Sequence, residues 1–168
     1  MLKLTTPLTK EDVAGLEPGD MVLLCGDVYA GRDAVLPKIV AAADAGELSA
    51  AVPLEGGVVF HTAVSTAGVG PTSSNKVEIE ESIVPLSRHG VRLHLGKGRI
   101  GAKTIEGMCA EGSAFAVIPP VTALLEERTS RRELVAFPEL GMEAFYKLES
   151  QGYPCVIAAV NGKSIFDE

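Results

Sequence analysis

The 168-residue chain reads as an α/β protein. Short apolar runs with the character of buried strands, such as MVLLCGDVY at Met21–Tyr29 and VVFHTAVS at Val58–Ser65, alternate with segments whose apolar residues recur at helical spacing. Hydrophobic residues make up 46% and charged residues 22%, a globular and rather apolar composition. No internal repeat or low-complexity tract interrupts the alternation. At this length the expectation is one domain over residues 1–168, large enough to bury a core, built as a three-layer or mixed-sheet α/β unit.

Taken in order, Leu2–Thr5 is the first expected strand and the Glu-Pro-Gly-Asp run at 17–20 a turn. Met21–Tyr29 is apolar almost throughout, as a strand covered on both faces should be. Ala34–Gly46 follows, Ala-rich, with Val35, Ile39, Ala42 and Ala43 at helical spacing. Asp33 stands where a cap would stand, yet Pro37 would then delete the first helical hydrogen bond, so the start stays unresolved. Val58–Ser65 is the next strand and delivers the chain to Thr66–Lys76, TAGVGPTSSNK. Glu80–His89 reads as a short helix that tolerates Pro85 only near its first turn, with Gly90 as its stop. Val91–Leu95 is a strand, Gly96–Gly101 a tight turn, and Ala102–Glu111 a helix with Ile105, Met108 and Cys109 on one face and Gly112 past its end. Ala114–Ile118 is a strand broken by Pro119 and Pro120, Val121–Glu127 a helical turn or two, and Glu133–Phe137 a further strand. Gly141–Ser150 is expected to form a last helix burying Phe145 and Leu148. Cys155–Val160 and Lys163–Phe166 flank Asn161-Gly162, the two-residue turn of a hairpin.

Net charge is −7, and the fifteen Lys and Arg form no run, which argues against a nucleic-acid or anionic-membrane surface. No stretch reaches the roughly 18–20 apolar residues of a membrane span, and the N-terminus lacks the apolar centre of a signal peptide. A cytoplasmic location is the expectation. Cys25, Cys109 and Cys155 are odd in number, far apart and in apolar contexts, and read as reduced, buried small hydrophobes. His61, His89 and His94 show no metal-ligand spacing and are read as ordinary polar residues.

Four segments carry candidate chemistry. In Thr66–Lys76, Gly68 and Gly70 let the backbone approach a ligand, Pro71 fixes one dihedral, and Thr72, Ser73, Ser74 and Asn75 offer hydroxyls and an amide before Lys76. The loop is not a phosphate loop, because Asn75 stands where a glycine should precede the lysine and Val77 follows it. GKGRIG at Gly96–Gly101 matches a dinucleotide-binding spacing, but the following strand ends in two prolines where a ribose-binding acid belongs. Lys97 is better read as a cation at a strand end, beside a helix N-terminus that adds positive potential for an anion. Arg32-Asp33, after a buried strand, is either a structural ion pair or a carboxylate-binding arginine oriented by its neighbour. Tyr29 is read as packing. If Arg32, Lys76 and Lys97 converge with Thr72, three cations and a hydroxyl would suit a small di-anion.

GDVYAGRDA, GPTSSNK, GKGRIG and VAFPELGMEAFYKLE stand in an order and spacing that resemble the beta subunit, or C-terminal domain, of class I fumarate hydratase and L-tartrate dehydratase, from about Leu16 to Phe166. The resemblance implies a swivelling β/β/α three-layer fold. It implies an iron–sulfur alpha subunit as partner, whose 4Fe-4S cluster supplies the Lewis-acid iron, with no cofactor on this chain. It implies that Arg32 binds a substrate carboxylate, that Thr72 moves the proton on the carbon beside it, and that Lys97 binds the second carboxylate. Asp33 is a weaker candidate for acid–base or orienting work. Two positions depart from the family pattern: Lys76 stands where many members have arginine, and Leu36 where many have histidine. The expected activity is interconversion of fumarate and malate with the alpha subunit. L-tartrate as substrate and a non-catalytic carboxylate-binding module are the alternatives, and pairing of isolated chains stays open.

Overall fold

The computed structural model describes residues 1–48, 50, 52–65, 68–69, 76–119 and 122–166. Strand β2 (Met21–Gly31) organises the sheet, which also contains β1 (Leu2–Thr5), β3 (Val58–His61), β6 (Leu93–Gly96), β7 (Ala114–Val117), β8 (Thr129–Ala136), β9 (Phe145–Val160) and β10 (Lys163–Ser164). A separate small pair is formed by β4 (Val64–Ser65) and β5 (Gly68–Val69). One edge of β2 runs antiparallel to β9, from Met21 opposite Val156 to Ala30 opposite Tyr146. Its other edge takes β1 along Val22–Cys25 and β3 along Tyr29–Gly31, both parallel. The parallel order continues from β3 through β6 to β7, and β7 then pairs antiparallel with the later part of β9. Since β9 bonds both β2 and β7, the pairing closes into a ring from which β1, β8 and β10 project.

Strand alternation sorts the core into an inner and a helix-facing set. Val58, Phe60, Leu93, Leu95, Ala114 and Ala116 pack with Val22, Leu24, Leu148 and Ile157. The opposite parity meets the helices α2 (Leu36–Asp44), α3 (Lys76–Arg88) and α4 (Ala102–Glu111): Val59 packs with Leu36, Ile39 and Leu86, and Phe115 with Ile83 and Met108. Each such large side chain contributes roughly 1.5–3 kcal/mol when fully buried. Two shorter helices complete the set, α1 (Lys10–Ala14) with a Thr9–Asp12 capping box and α5 (Thr122–Glu127). Among the described residues no helix is long and apolar enough to cross a membrane.

Several local expectations hold. α4 spans the expected residues, closed by Gly112 in the left-handed conformation. Asn161 and Gly162, at φ 53° and 79°, make the hairpin turn between β9 and β10. Others need correction. Phe145 and Leu148 imitate helical spacing, but Gly141–Ser150 is not a helix: a 3-10 turn covers Pro138–Glu143, and Phe145 begins β9. Strand pairing to β2 on one edge and β8 on the other overrides local propensity there. Phe145 stacks on Tyr29 at 5.2 Å and 9°, which settles that tyrosine as packing, and Leu148 faces the inner core. α2 starts at Leu36 with no side-chain cap, so Asp33 does not cap it, and Pro37 falls in the first turn where its missing N–H is harmless. α3 begins four residues before the expected Glu80, which leaves Pro85 inside the helix, where full burial of Ile83 and Leu86 offsets the lost hydrogen bond. Of the thiols only Cys155 is fully buried, which pushes it up to about 12; Cys25 is half-buried and Cys109 exposed.

Candidate functional site

Two candidate side chains, Arg32 and Lys97, leave the sheet at the same end of the parallel strands, with Thr62 between them. Arg32 follows the last residue of β2, Thr62 that of β3, and Lys97 that of β6. Gly31 pairs with His61, and the Thr62 N–H donates to the Gly31 carbonyl at 3.1 Å. Neighbouring strands lie about 4.8 Å apart, so Arg32 and Lys97, two strands apart, leave the sheet about 10 Å from one another. Gly31 is required before Arg32, since a Cβ there would stand 2.8 Å from Val35 and 2.9 Å from Phe145.

Arg32 is three-quarters shielded, at 24% side-chain exposure, and lies between two carboxylates. Its Nη2 donates to Glu143 Oε1, its Nε lies 3.4 Å from Glu143 Oε2, and the same Nε lies 3.4 Å from Asp33 Oδ1. Glu143 arrives from the 3-10 turn, which starts beyond Phe137 at φ 55° and bends again at Gly141. An aromatic residue in the left-handed region costs of order 1–3 kcal/mol, a cost the surrounding packing must offset to hold Glu143 against the guanidinium. The structural ion pair offered by Arg32-Asp33 therefore exists, and Glu143 was missed as its stronger member. The misread helix over 141–150 concealed it.

Lys97 is exposed at the rim. Lys76 opens α3 and is described by its backbone alone, while Thr72 lies outside the described residues, as does most of the Gly/Thr loop. The helix N-terminus beside Lys97 is not open to an anion. Glu80 of α3 takes both the Gly101 N–H, at 2.5 Å, and the Thr104 hydroxyl, at 3.0 Å, so α4 carries its own carboxylate cap. That corrects the expectation that GKGRIG lends helix-dipole potential to a ligand.

Behind the rim, His61 and His94 are fully buried and not ordinary polar residues. His61 Nε2 lies 3.0 Å from His94 Nδ1, His94 Nε2 lies 3.0 Å from Ser87 Oγ, and Ser87 Oγ lies 2.7 Å from Ser113 Oγ and 2.8 Å from the Ile83 carbonyl. Burial lowers His61 to about 4; it also lowers His94 well below the usual value, with His61 and Arg92 adding to the effect. Both rings are neutral near neutral pH. Strand parity was the signal for them: VVFH and LHLG put each histidine on the helix-facing side of adjacent strands.

A cavity of about 370 Å³ between α2 and α3 is lined by Asp33, Pro37, Val40, Glu81, Ser82 and Pro85, close to the Arg32 cluster. A larger one, about 520 Å³, lies along the gap between β1 and β3. Asp27, Glu55 and Glu149 among its lining make it repel a di-anion, and we place the candidate site at the strand ends. Among the described residues no three His, Cys, Asp or Glu gather as a metal-holding group.

A family model described as the fumarase C-terminus matches residues 1–168. The L(+)-tartrate dehydratase subunit beta of Escherichia coli (strain K12) is 32% identical over 83% of this chain and 72% of that protein. A Methanocaldococcus jannaschii protein provisionally named L(+)-tartrate dehydratase subunit beta is 29% identical over 96% of this chain and 89% of its own length. A Geobacillus stearothermophilus protein provisionally named class I fumarate hydratase is 26% identical, over 68% of this chain and 23% of that protein.

Proposed function

This chain belongs to the fumarase C-terminus family, and on that premise we propose that it is the beta-type subunit of a hydro-lyase that interconverts fumarate and malate. The observation that carries the reading is the position of Arg32 and Lys97 at the same end of two parallel strands, β2 and β6, that flank β3, about 10 Å apart at the backbone. Two cations at that spacing, on long side chains, suit a ligand with a carboxylate at each end. The finer fold reading is a single swivelling β/β/α domain over residues 1–168. Helices against the parallel strands, with β8, β9 and β2 forming an antiparallel wing, support it.

The companion is an alpha subunit, as the word beta in the relatives' names suggests, and on our reading it is the subunit that carries the iron–sulfur cluster. A 4Fe-4S cluster needs several thiolates in one place, and Cys25, Cys109 and Cys155 differ in exposure and form no group among the described residues, so its ligands are assigned to that companion. When bound there, the cluster supplies an iron that polarises the hydroxyl being lost. This chain's part is to bind and orient. Arg32, Lys76 and Lys97 hold carboxylates, Glu143 and Asp33 fix the guanidinium plane, and Thr72 moves the proton on the carbon beside a carboxylate. A hydroxyl is a poor base, and the neighbouring cations are what would favour its deprotonated form.

A second substrate, L-tartrate, is favoured by the 32% identity to a tartrate dehydratase subunit beta. Co-purification with the iron–sulfur subunit and measurement of kcat/KM for fumarate, L-malate and L-tartrate tests both. Turnover of fumarate and malate, absent from either subunit alone, is the expected result. A kcat/KM for tartrate above that for malate moves the assignment to the second reading, and a complex inactive on all three removes both.

A further inference from the structure

The helices α2 and α3 each carry a proline, and each proline leaves an oxygen without its helical donor. Pro37 has no N–H for the Asp33 carbonyl and Pro85 none for the Glu81 carbonyl, four residues earlier in each case. No other backbone N–H donates to the Asp33 carbonyl among the described residues. Residues four apart stand one above the other along a helical turn. Both pairs, Asp33 with Pro37 and Glu81 with Pro85, line the cavity of about 370 Å³ between the two helices, which puts each freed carbonyl at its wall. Two carboxylates come with them. Asp33 Oδ1 lies 3.4 Å from Arg32 Nε, a guanidinium that Glu143 also pairs, and Glu81 makes no ion pair among the described residues.

Ser82 is an independent sign that a polar ligand belongs here. It is 3% exposed, it lines the cavity, and its hydroxyl makes no hydrogen bond among the described residues. The described side-chain atoms that are both sealed and unbonded are His61 Nδ1 and Arg92 Nε, so the Ser82 hydroxyl, unbonded but not sealed, opens on the cavity. A helical serine ordinarily gives its proton to a carbonyl one turn back, as Ser87 does to Ile83 at 2.8 Å. Apart from Val40 and the proline rings, the cavity therefore offers oxygens: two carboxylates, two freed carbonyls and a hydroxyl, of which only the last can donate. Such a set repels anions and suits a hard cation. Two carboxylates are too few to strip a divalent ion of its water, and the cavity exceeds the roughly 180 Å³ that an octahedral shell of waters takes up. We propose that the α2–α3 cavity binds a hydrated divalent cation of the magnesium class. Asp33 and Glu81 balance its charge, and Ser82 and the freed carbonyls accept hydrogen bonds from its waters. The site stands apart from the hydro-lyase reading, since none of its oxygens is needed to hold a dicarboxylate.

The test uses the full chain labelled with 15N, manganese(II) as a paramagnetic probe and magnesium as its competitor, at constant ionic strength. The amide signals of Val40, Glu81 and Ser82 are expected to broaden with manganese and to recover as magnesium is added, with an apparent Kd of about 1 mM, the weak end for oxygen sites. Potassium chloride at the same ionic strength should not restore them. Glu81→Gln should weaken magnesium about tenfold and Ser82→Ala about threefold, the sizes of losing a charged and a neutral hydrogen-bond partner. Glu81 is exposed, so its variant keeps the test alive if Ser82→Ala fails to fold. Broadening equally strong at Asp27, Glu55 and Glu149, which line the larger cavity, would mark diffuse attraction to acid and overturn the proposal. So would recovery with potassium chloride alone, unchanged magnesium affinity in Glu81→Gln, or signals of Val40 and Ser82 that manganese leaves sharp. The readout is binding by this chain alone, and its failure leaves the hydro-lyase reading untouched.

Discussion

Two polar clusters sit within a residue of each other at the ends of β2 and β3, and they are built on opposite plans. At the rim, Arg32, Asp33 and Glu143 are charged, partly solvated and matched by sign. One step inward, His61, His94, Ser87 and Ser113 are buried and neutral and are tied to one another by hydrogen bonds, with His61 Nδ1 left without a partner among the described residues. Depth explains the division. A charge at the rim keeps part of its hydration and is held at modest cost, whereas a charge moved under α3 would cost several kcal/mol, so the inner groups give up charge instead. Both clusters owe their positions to the same register, Gly31 opposite His61. The rim thus carries charges of both signs over a neutral polar floor.

The sharpest way to break this contrast is to remove the rim's charge. Arg32→Ala in the two-subunit complex is expected to lower kcat/KM about a hundredfold or more, about 2.7 kcal/mol of transition-state binding. Arg32→Lys should recover only part of it, because an ammonium keeps the charge and loses the fork that Glu143 orients. Turnover near normal in Arg32→Ala would make the Arg32–Glu143 pair a structural tie and move the site elsewhere.

How far each cluster could be read from sequence follows from how local its determinants are. Arg32 and Lys97 each directly follow an apolar run that ends at a glycine, with Asp33 next to Arg32, and their place at strand ends was legible from that pattern alone. α4 and the Asn161-Gly162 hairpin were legible for the same reason, since caps and turns are written in a few adjacent residues. Glu143 and β9 were not. What makes Phe145–Val160 a strand is pairing with β2 and β8, partners more than a hundred and about fifteen residues away in the chain. The histidine pair was hidden likewise: His61 and His94 meet because β3 and β6 are neighbours, which no spacing within either segment states.

The buried floor can be broken by acid. His61, at about 4, lies below the ordinary histidine value of 6.5, and His94 is lowered as well. The unfolded chain therefore binds protons more readily than the folded one across that interval. Stability is full above about pH 6.5, falls as pH drops toward 4, and is no longer reduced by His61 below that. The expected loss from His61 is on the order of 3 kcal/mol, seen as a falling Tm between pH 6.5 and 4. Replacing it in His61→Gln should flatten that part of the profile while leaving the loss below pH 4, where carboxylates take up protons, in place. An unchanged slope would mean that the ring is not buried neutral.

The smallest effect sharpens the distinction between a helix end that serves the fold and one that serves a ligand. Glu80 caps α4 through Gly101 and Thr104, immediately after the turn that carries Lys97. Glu80→Ala should cost about 1 kcal/mol of stability, the usual worth of a helix N-cap, measured by urea unfolding of the complex-competent chain. KM for the dicarboxylate should stay within about twofold, because the carboxylate of Glu80 and that of a substrate do not compete for the same N–H groups if the ligand is held by Arg32 and Lys97. A substrate that instead binds tighter in Glu80→Ala would show that the α4 N-terminus had been withheld from it, and would place the second carboxylate on Gly101 rather than on Lys97.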